Sequence, residues 1–233
     1  MKDKRFSPSE ARAVYSLVFA PKRLLAGLAF AALFLLGVHS MLTVYHYQIE
    51  EVSWLPWRQL FDVDEENNLP TWFSGALLAL AAGCLWLCAR HKRQVRDRSV
   101  TQWYVLTFGF LFMSVDEVAG LHESLNSTTE SSWVIPVGIV VFLVGLSFIP
   151  FLWNLPSRTR NYFIVAGALY VGGAIGVEII GAPMDADTML FNLTTVAEEG
   201  LEMFGVILFL SALLSYMRPA AGGAIEVDVG LQV

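Results

Sequence analysis

The residues of this chain that could do chemistry are acids set in apolar surroundings. The stretch Ser114-Val-Asp-Glu-Val-Ala-Gly-Leu-His-Glu123 ends one apolar run with Asp116, Glu117, His122 and Glu123. A later run carries Glu198, Glu199 and Glu202, and Glu178 lies in a third. A carboxylate at the centre of a membrane helix costs roughly 2.5–3.5 kcal/mol on insertion scales. No Lys or Arg lies in the apolar runs that hold these acids. Two agents can compensate the charge: protons, which keep the acids neutral, or a bound metal that they coordinate.

Spacing limits which groups meet. Glu198 and Glu202 are i,i+4 and Glu199 and Glu202 are i,i+3, so one helix face presents three carboxylates within about 100° of arc. In the first motif Asp116 and Glu123 share a face. Glu117 lies about 100° to one side and His122 about 120° to the other. All four converge only if the helix bends, which Gly120 would permit. Carboxylate-rich sets with one or two His suit iron, zinc or manganese. The expected divalent-metal set is therefore Asp116, Glu117, His122, Glu178, Glu198, Glu199 and Glu202, with His39 and Glu123 as further candidates. Such a site could activate water for hydrolysis of a lipid-like substrate, or support redox chemistry. Two other readings stay open. Intramembrane acids mark proton and cation pathways, so the chain could be a coupled transporter. It could also be a small accessory or assembly subunit whose protonated acids hydrogen-bond between helices.

The elements that would position these groups are membrane helices. Hydrophobic residues make up 55 % of the 233, and the mean hydropathy is +0.55. That is too apolar for an ordinary soluble domain. Six runs are long enough to cross a bilayer, near 24–46, 71–90, 101–124, 133–154, 162–181 and 189–217. The predicted fold is an all-α polytopic bundle of six helices over 24–217. A short interfacial amphipathic helix within 1–23 precedes it. Ser7, Pro8 and Glu10 start that helix, and Val14, Tyr15, Val18 and Phe19 lie on its apolar face. Residues 218–233 read as a flexible tail.

The basic residues set the orientation. Six of the fifteen Lys and Arg precede the first span, five lie between the second and third, Arg158 and Arg160 lie between the fourth and fifth, and Arg218 follows the sixth. The alternate loops hold Arg58 alone. The positive-inside rule puts both termini in the cytoplasm. The partners expected are the lipid bilayer and other membrane subunits or further copies of the chain, with no nucleic acid. Cys84 and Cys88 read as free core thiols. Asp62, Asp64 and Glu66 alternate like a calcium loop but lack its glycine and final acid, so a solvated acidic rim is expected there. Gly172 and Gly176 form a small-xxx-small pair that predicts a close helix contact and buries Glu178.

Asn68-Leu-Pro-Thr-Trp-Phe-Ser74, the Asp116-Glu117…His122-Glu123 motif and Glu198-Glu-Gly-Leu-Glu202 resemble runs of a family of uncharacterised bacterial polytopic membrane proteins. The resemblance covers the second to sixth predicted spans. It implies a bacterial inner (plasma) membrane location and brings no activity.

Overall fold

The computed structural model describes residues 14–49, 56–121, 134–217 and 225–230. Seven helices are described: α1 (Pro21–Gln48), α2 (Pro56–Phe61), α3 (Leu69–Gln94), α4 (Val100–Ala119), α5 (Val134–Asn154), α6 (Ser157–Gly181) and α7 (Met189–Met217). Five of them, α1, α3, α5, α6 and α7, are long and apolar enough to cross a membrane. The sixth expected crossing corresponds to α4, whose 20 residues span about 30 Å at 1.5 Å per residue. The helix α4 is not one of those five, and its last turn carries Asp116 and Glu117.

Local chemistry fixes the helix ends. Pro21 and Pro70 occupy first-turn positions of α1 and α3, where the missing N–H costs nothing. The side chain of Asn68 caps α3 by accepting the Thr71 N–H at 3.2 Å. Thr188 does the same for α7, accepting from the Phe191 N–H at 3.2 Å. The helix α3 ends in a Schellman turn: the Asp97 N–H reaches the Lys92 carbonyl at 3.0 Å and the Arg96 N–H reaches Arg93 at 3.2 Å. Arg96 sits there in the left-handed region, φ 54°, a conformation usually left to glycine. Asp97 accepts from Lys92 Nζ at 2.8 Å and from Ser99. Those donors hold its carboxyl well below the usual carboxylate range.

The core lies between α3, α4, α6 and α7. The helix α3 packs along α4, α6 packs along α7, and α1 covers α7. Trp103 of α4 is fully buried against Phe151, Phe163 and the stacked ring of Tyr216. By contrast α5, with no ionisable residue, leaves Ile135, Val140, Phe142 and Trp153 exposed, as a lipid-facing helix would.

The chain ends differ from expectation. Val14–Phe19 is a strand, not part of an amphipathic helix, and it pairs antiparallel with Ile225–Gly230, from Val14 opposite Gly230 to Phe19 opposite Ile225. Six residues of the segment after 217 thus lie in a strand pair. Ile-Glu-Val-Asp-Val-Gly is rich in β-branched residues and alternates with a period of two, as a strand does, and it supplies the partner for Val-Tyr-Ser-Leu-Val-Phe, whose own pattern does not decide between strand and helix. Ser7, Pro8 and Glu10, the expected cap of that helix, lie outside the described residues.

Candidate functional site

The acids meet where α4, α6 and α7 approach. Glu202 of α7 is buried, and the Tyr170 hydroxyl of α6 hydrogen-bonds to its carboxyl. Glu117 of α4 and Glu198 of α7 lie within electrostatic reach of Glu202. Glu199 faces the same group, interacting with Glu202, Glu117 and Glu198, and with Asp64 from the loop after α2. The triple-carboxylate face expected on α7 therefore meets Glu117. Of the adjacent pair Asp116 and Glu117, it is Glu117 that turns toward α7.

Glycines let the backbones come this close. A Cβ on Gly173 would lie 2.8 Å from the Glu198 carbonyl oxygen and 3.0 Å from Glu202 Cγ. On Gly205 it would lie 3.0 Å from both the Ala166 carbonyl oxygen and the Tyr170 nitrogen. The two glycines thus bracket Tyr170 and press α6 onto the acidic turn of α7. Gly75 plays the same part for α4, since a Cβ there would meet Val118 Cγ2 at 2.7 Å and the Ser114 carbonyl at 3.4 Å. The expected pair Gly172 and Gly176 does not make this contact, for neither position has a foreign atom within 4 Å. The reason is a π-helical turn over Gly172–Val177. Its wider winding displaces the helical face by a residue, so Gly173 is presented instead.

Other expected members lie apart. Glu178 is half-buried after the π turn and is not among the groups acting on Glu199 or Glu202. Asp116 is half-buried, and its backbone carbonyl accepts the Gly120 N–H at 2.8 Å. Gly120 does not bend α4 but ends it in the left-handed region, φ 59°, where a Cβ would fall onto the Glu66 carboxyl. His122 and Glu123 lie outside the described residues.

His39 is buried, but its charged neighbours are Asp62 and Arg58. Its Nδ1 accepts the Val63 N–H at 3.1 Å and lies 3.3 Å from Asp62 Oδ1. The Nε2 lies within hydrogen-bond distance of Thr43 Oγ1, at 3.2 Å. His39 thus pins the loop after α2 to α1. Asn68 pins the other end, its Nδ2 donating to the carbonyls of Gln59, Asp62 and Glu65. The loop that carries Asp64 toward Glu199 is thereby held at both ends. Among the described residues, no three of His, Cys, Asp and Glu are placed to hold a metal ion.

Tyr170, Asp64 and Gly205 were not visible as site residues in the sequence. Tyr170 had one signal, a hydroxyl in an otherwise apolar stretch of α6.

Five described helices long and apolar enough to cross a membrane, with acids on inward faces, define a class of helical protein compatible with a membrane location. Within that class the chain belongs to the family described as "Domain of unknown function (DUF8692)", whose family model matches residues 22–217. Neither a curated protein nor a solved structure matches it.

Proposed function

We propose that the protein is a polytopic membrane protein that works through a cation-binding carboxylate cluster formed by Glu117, Glu198, Glu199 and Glu202 with Tyr170, and that the cation it takes up and releases is the proton. The observation that carries this reading is the burial of Glu202 against a tyrosine hydroxyl amid three further carboxylates. The segments 101–157 and 161–217 that supply the cluster contain no Lys or Arg. Protons neutralise such a group without any fixed ligand geometry, and intramembrane acids of this kind form relays in pumps and transporters. The Tyr170 hydroxyl can donate to one carboxyl oxygen while accepting from another group, as a relay requires. Asp64, exposed and interacting with Glu199, offers the cluster a route to water.

A divalent metal, iron, zinc or manganese, is the second reading. It draws on the charge of the four acids of the cluster, which are not set as a ligand group among the described residues and would have to close around the ion, and it would open hydrolytic or redox chemistry.

The pairing of Val14–Phe19 with Ile225–Gly230 favours an even number of crossings, because it brings the start of α1 and the end of α7 to one side. With α4 as the sixth crossing, the basic segments around residues 2–23, 90–98 and 158–160 share that side. The positive-inside rule then makes it the cytoplasm of a bacterial inner membrane. The acidic cluster falls in the outer half.

The test is reconstitution of the purified chain into liposomes with a trapped pH dye, alongside elemental analysis of protein prepared without chelator. Proton flux lost in Glu202→Gln and slowed in Tyr170→Phe supports the proton site. Stoichiometric metal that disappears in Glu202→Gln replaces it with the metal reading. Metal-free protein whose wild type and Glu202→Gln are equally silent refutes both.

A further inference from the structure

A second polar site lies at the opposite, basic end of the bundle and is independent of the acidic cluster. A cavity of about 370 Å3 opens between the first turns of α6 and the last turns of α7. Arg158, Thr159 and Tyr162 line it from α6, and Ser211, Ser215 and Tyr216 line it from α7. Thr159 is buried at 8 % exposure, whereas Arg158 is exposed and lies over the Tyr162 ring at 6.0 Å. Ser211 and Ser215 are one helical turn apart, so both hydroxyls lie on the face of α7 that lines the cavity.

Pro156, Ala212 and the two tyrosine rings make much of the wall, and the polar groups set into it carry one sign of charge. The lining offers a guanidinium and five hydroxyls, and no carboxylate. Lys92, whose charge is taken up by Asp97 at 2.8 Å, lies outside this lining, 5.6 Å from the centre of the Tyr216 ring. Hydroxyls and a forked guanidinium are the donors that suit phosphate oxygens. The volume falls within the range of small-ligand sites, about 300–1,000 Å3. The surroundings mark a membrane–water boundary. Arg160 stacks on Trp153 at 4.5 Å and Arg90 on Trp86 at 4.9 Å, an arrangement of aromatics and cations found at the headgroup level. Basic pockets between membrane helices on that side take anionic headgroups.

We propose that this cavity binds a phosphate group, carried by the headgroup of an anionic phospholipid of the same leaflet. The phosphate oxygens take the Arg158 fork and the hydroxyls of Thr159, Ser211 and Ser215. The acyl chains leave over the apolar surface of α5 and α6.

The test uses the full chain in neutral detergent, titrated with phosphatidylglycerol, with phosphatidylcholine and with inorganic phosphate. Bound lipid is counted by native mass spectrometry. Phosphatidylglycerol is expected to bind preferentially, and Arg158→Gln to weaken it about five-fold, the effect of one basic residue near an anionic surface. Ser211→Ala combined with Ser215→Ala should weaken it further, whereas Arg160→Gln, whose side chain does not line the cavity, should retain most of it. Competition by inorganic phosphate at equal strength keeps the phosphate site but assigns it to a free anion. Equal binding of phosphatidylglycerol and phosphatidylcholine, or unchanged binding in both the Arg158 and the serine variants, overturns the proposal. Arg158 is exposed, so its loss leaves the fold intact and a negative result is readable.

Discussion

Replacing Gly173 by alanine tests the close approach on which the acidic cluster depends. The added Cβ would lie 2.8 Å from the Glu198 carbonyl oxygen, 3.0 Å from Glu202 Cγ and 3.2 Å from Leu201 Cβ. Optimal carbon contacts are about 3.5–4.0 Å. The nearest atom is backbone and cannot rotate away, so α6 and α7 must separate by roughly 0.5–1 Å to restore such distances. Overpacking of this kind costs about 1–3 kcal/mol. For a chain of this size about 2 kcal/mol lowers the melting midpoint by roughly 4–8 °C. The shift also pulls Tyr170 from Glu202, so proton flux should fall with stability. Gly172→Ala and Gly176→Ala are the controls. They share the π turn and gain the same helix propensity, but their Cβ atoms meet nothing within 4 Å. Cys84 and Cys88 are buried in α3, so a thiol-reactive dye reports unfolding directly. Gly173→Ala should melt several degrees below both controls. If all three variants melt together, the α6–α7 contact is not where the geometry places it.

Three further outcomes are expected. Asp97→Asn should weaken the α3–α4 turn by about 0.5–1 kcal/mol at neutral pH, the scale of a partly exposed ion pair. The Asp97 carboxyl is held below its unfolded value near 3.9. Its contribution is therefore present above that value and lost as pH falls through the folded one, so wild type and variant should converge in acid melts. Arg96→Gly should raise the midpoint, since it relieves a left-handed residue at a cost of about 1 kcal/mol, and a fall instead would show that the Arg96 side chain matters there. His39→Ala should cost about 1–3 kcal/mol by stripping the Val63 N–H of its acceptor, and should speed proteolysis in the loop after α2. Loss of proton flux at unchanged stability in that variant would move His39 from a pinning residue into the working site.

What could be read from the sequence, and what could not, follows from the range of each interaction. Hydropathy acts residue by residue, so the long apolar spans were legible. The three-acid face of α7 depends only on helical periodicity within one element, and it too was legible. The partner of that face was not. Choosing Glu117 over Asp116 depends on how α4 rotates against α3, which Gly75 decides through contact with Val118 and Ser114. Gly173 was hidden from a small-xxx-small reading because the π turn breaks the 3.6-residue spacing on which such readings rest. The strand at Val14–Phe19 was misread for a related reason. Its apolar residues fit a helical face and an alternating strand equally, and the deciding partner, Ile225–Gly230, lies about two hundred residues away.

The same geometry explains why Tyr170 matters more than its residue type suggests. The Ala166 carbonyl and the Tyr170 nitrogen on α6 both abut Gly205 of α7, while Gly173, one turn on, abuts the Glu198 carbonyl. With contact on both sides, α6 has little freedom to rotate about Tyr170. A helix able to rotate could withdraw the hydroxyl into the lipid and leave Glu202 buried with carboxylates alone. Tyr170→Phe removes the hydroxyl while keeping the ring, so the helix contact should persist. The melting midpoint should then move little beyond the roughly 0.5–1.5 kcal/mol of one hydrogen bond. A large drop in flux with that small drop in stability would separate proton relay from packing. A drop in stability as large as that of Gly173→Ala would show that the ring, not the hydroxyl, holds the site together.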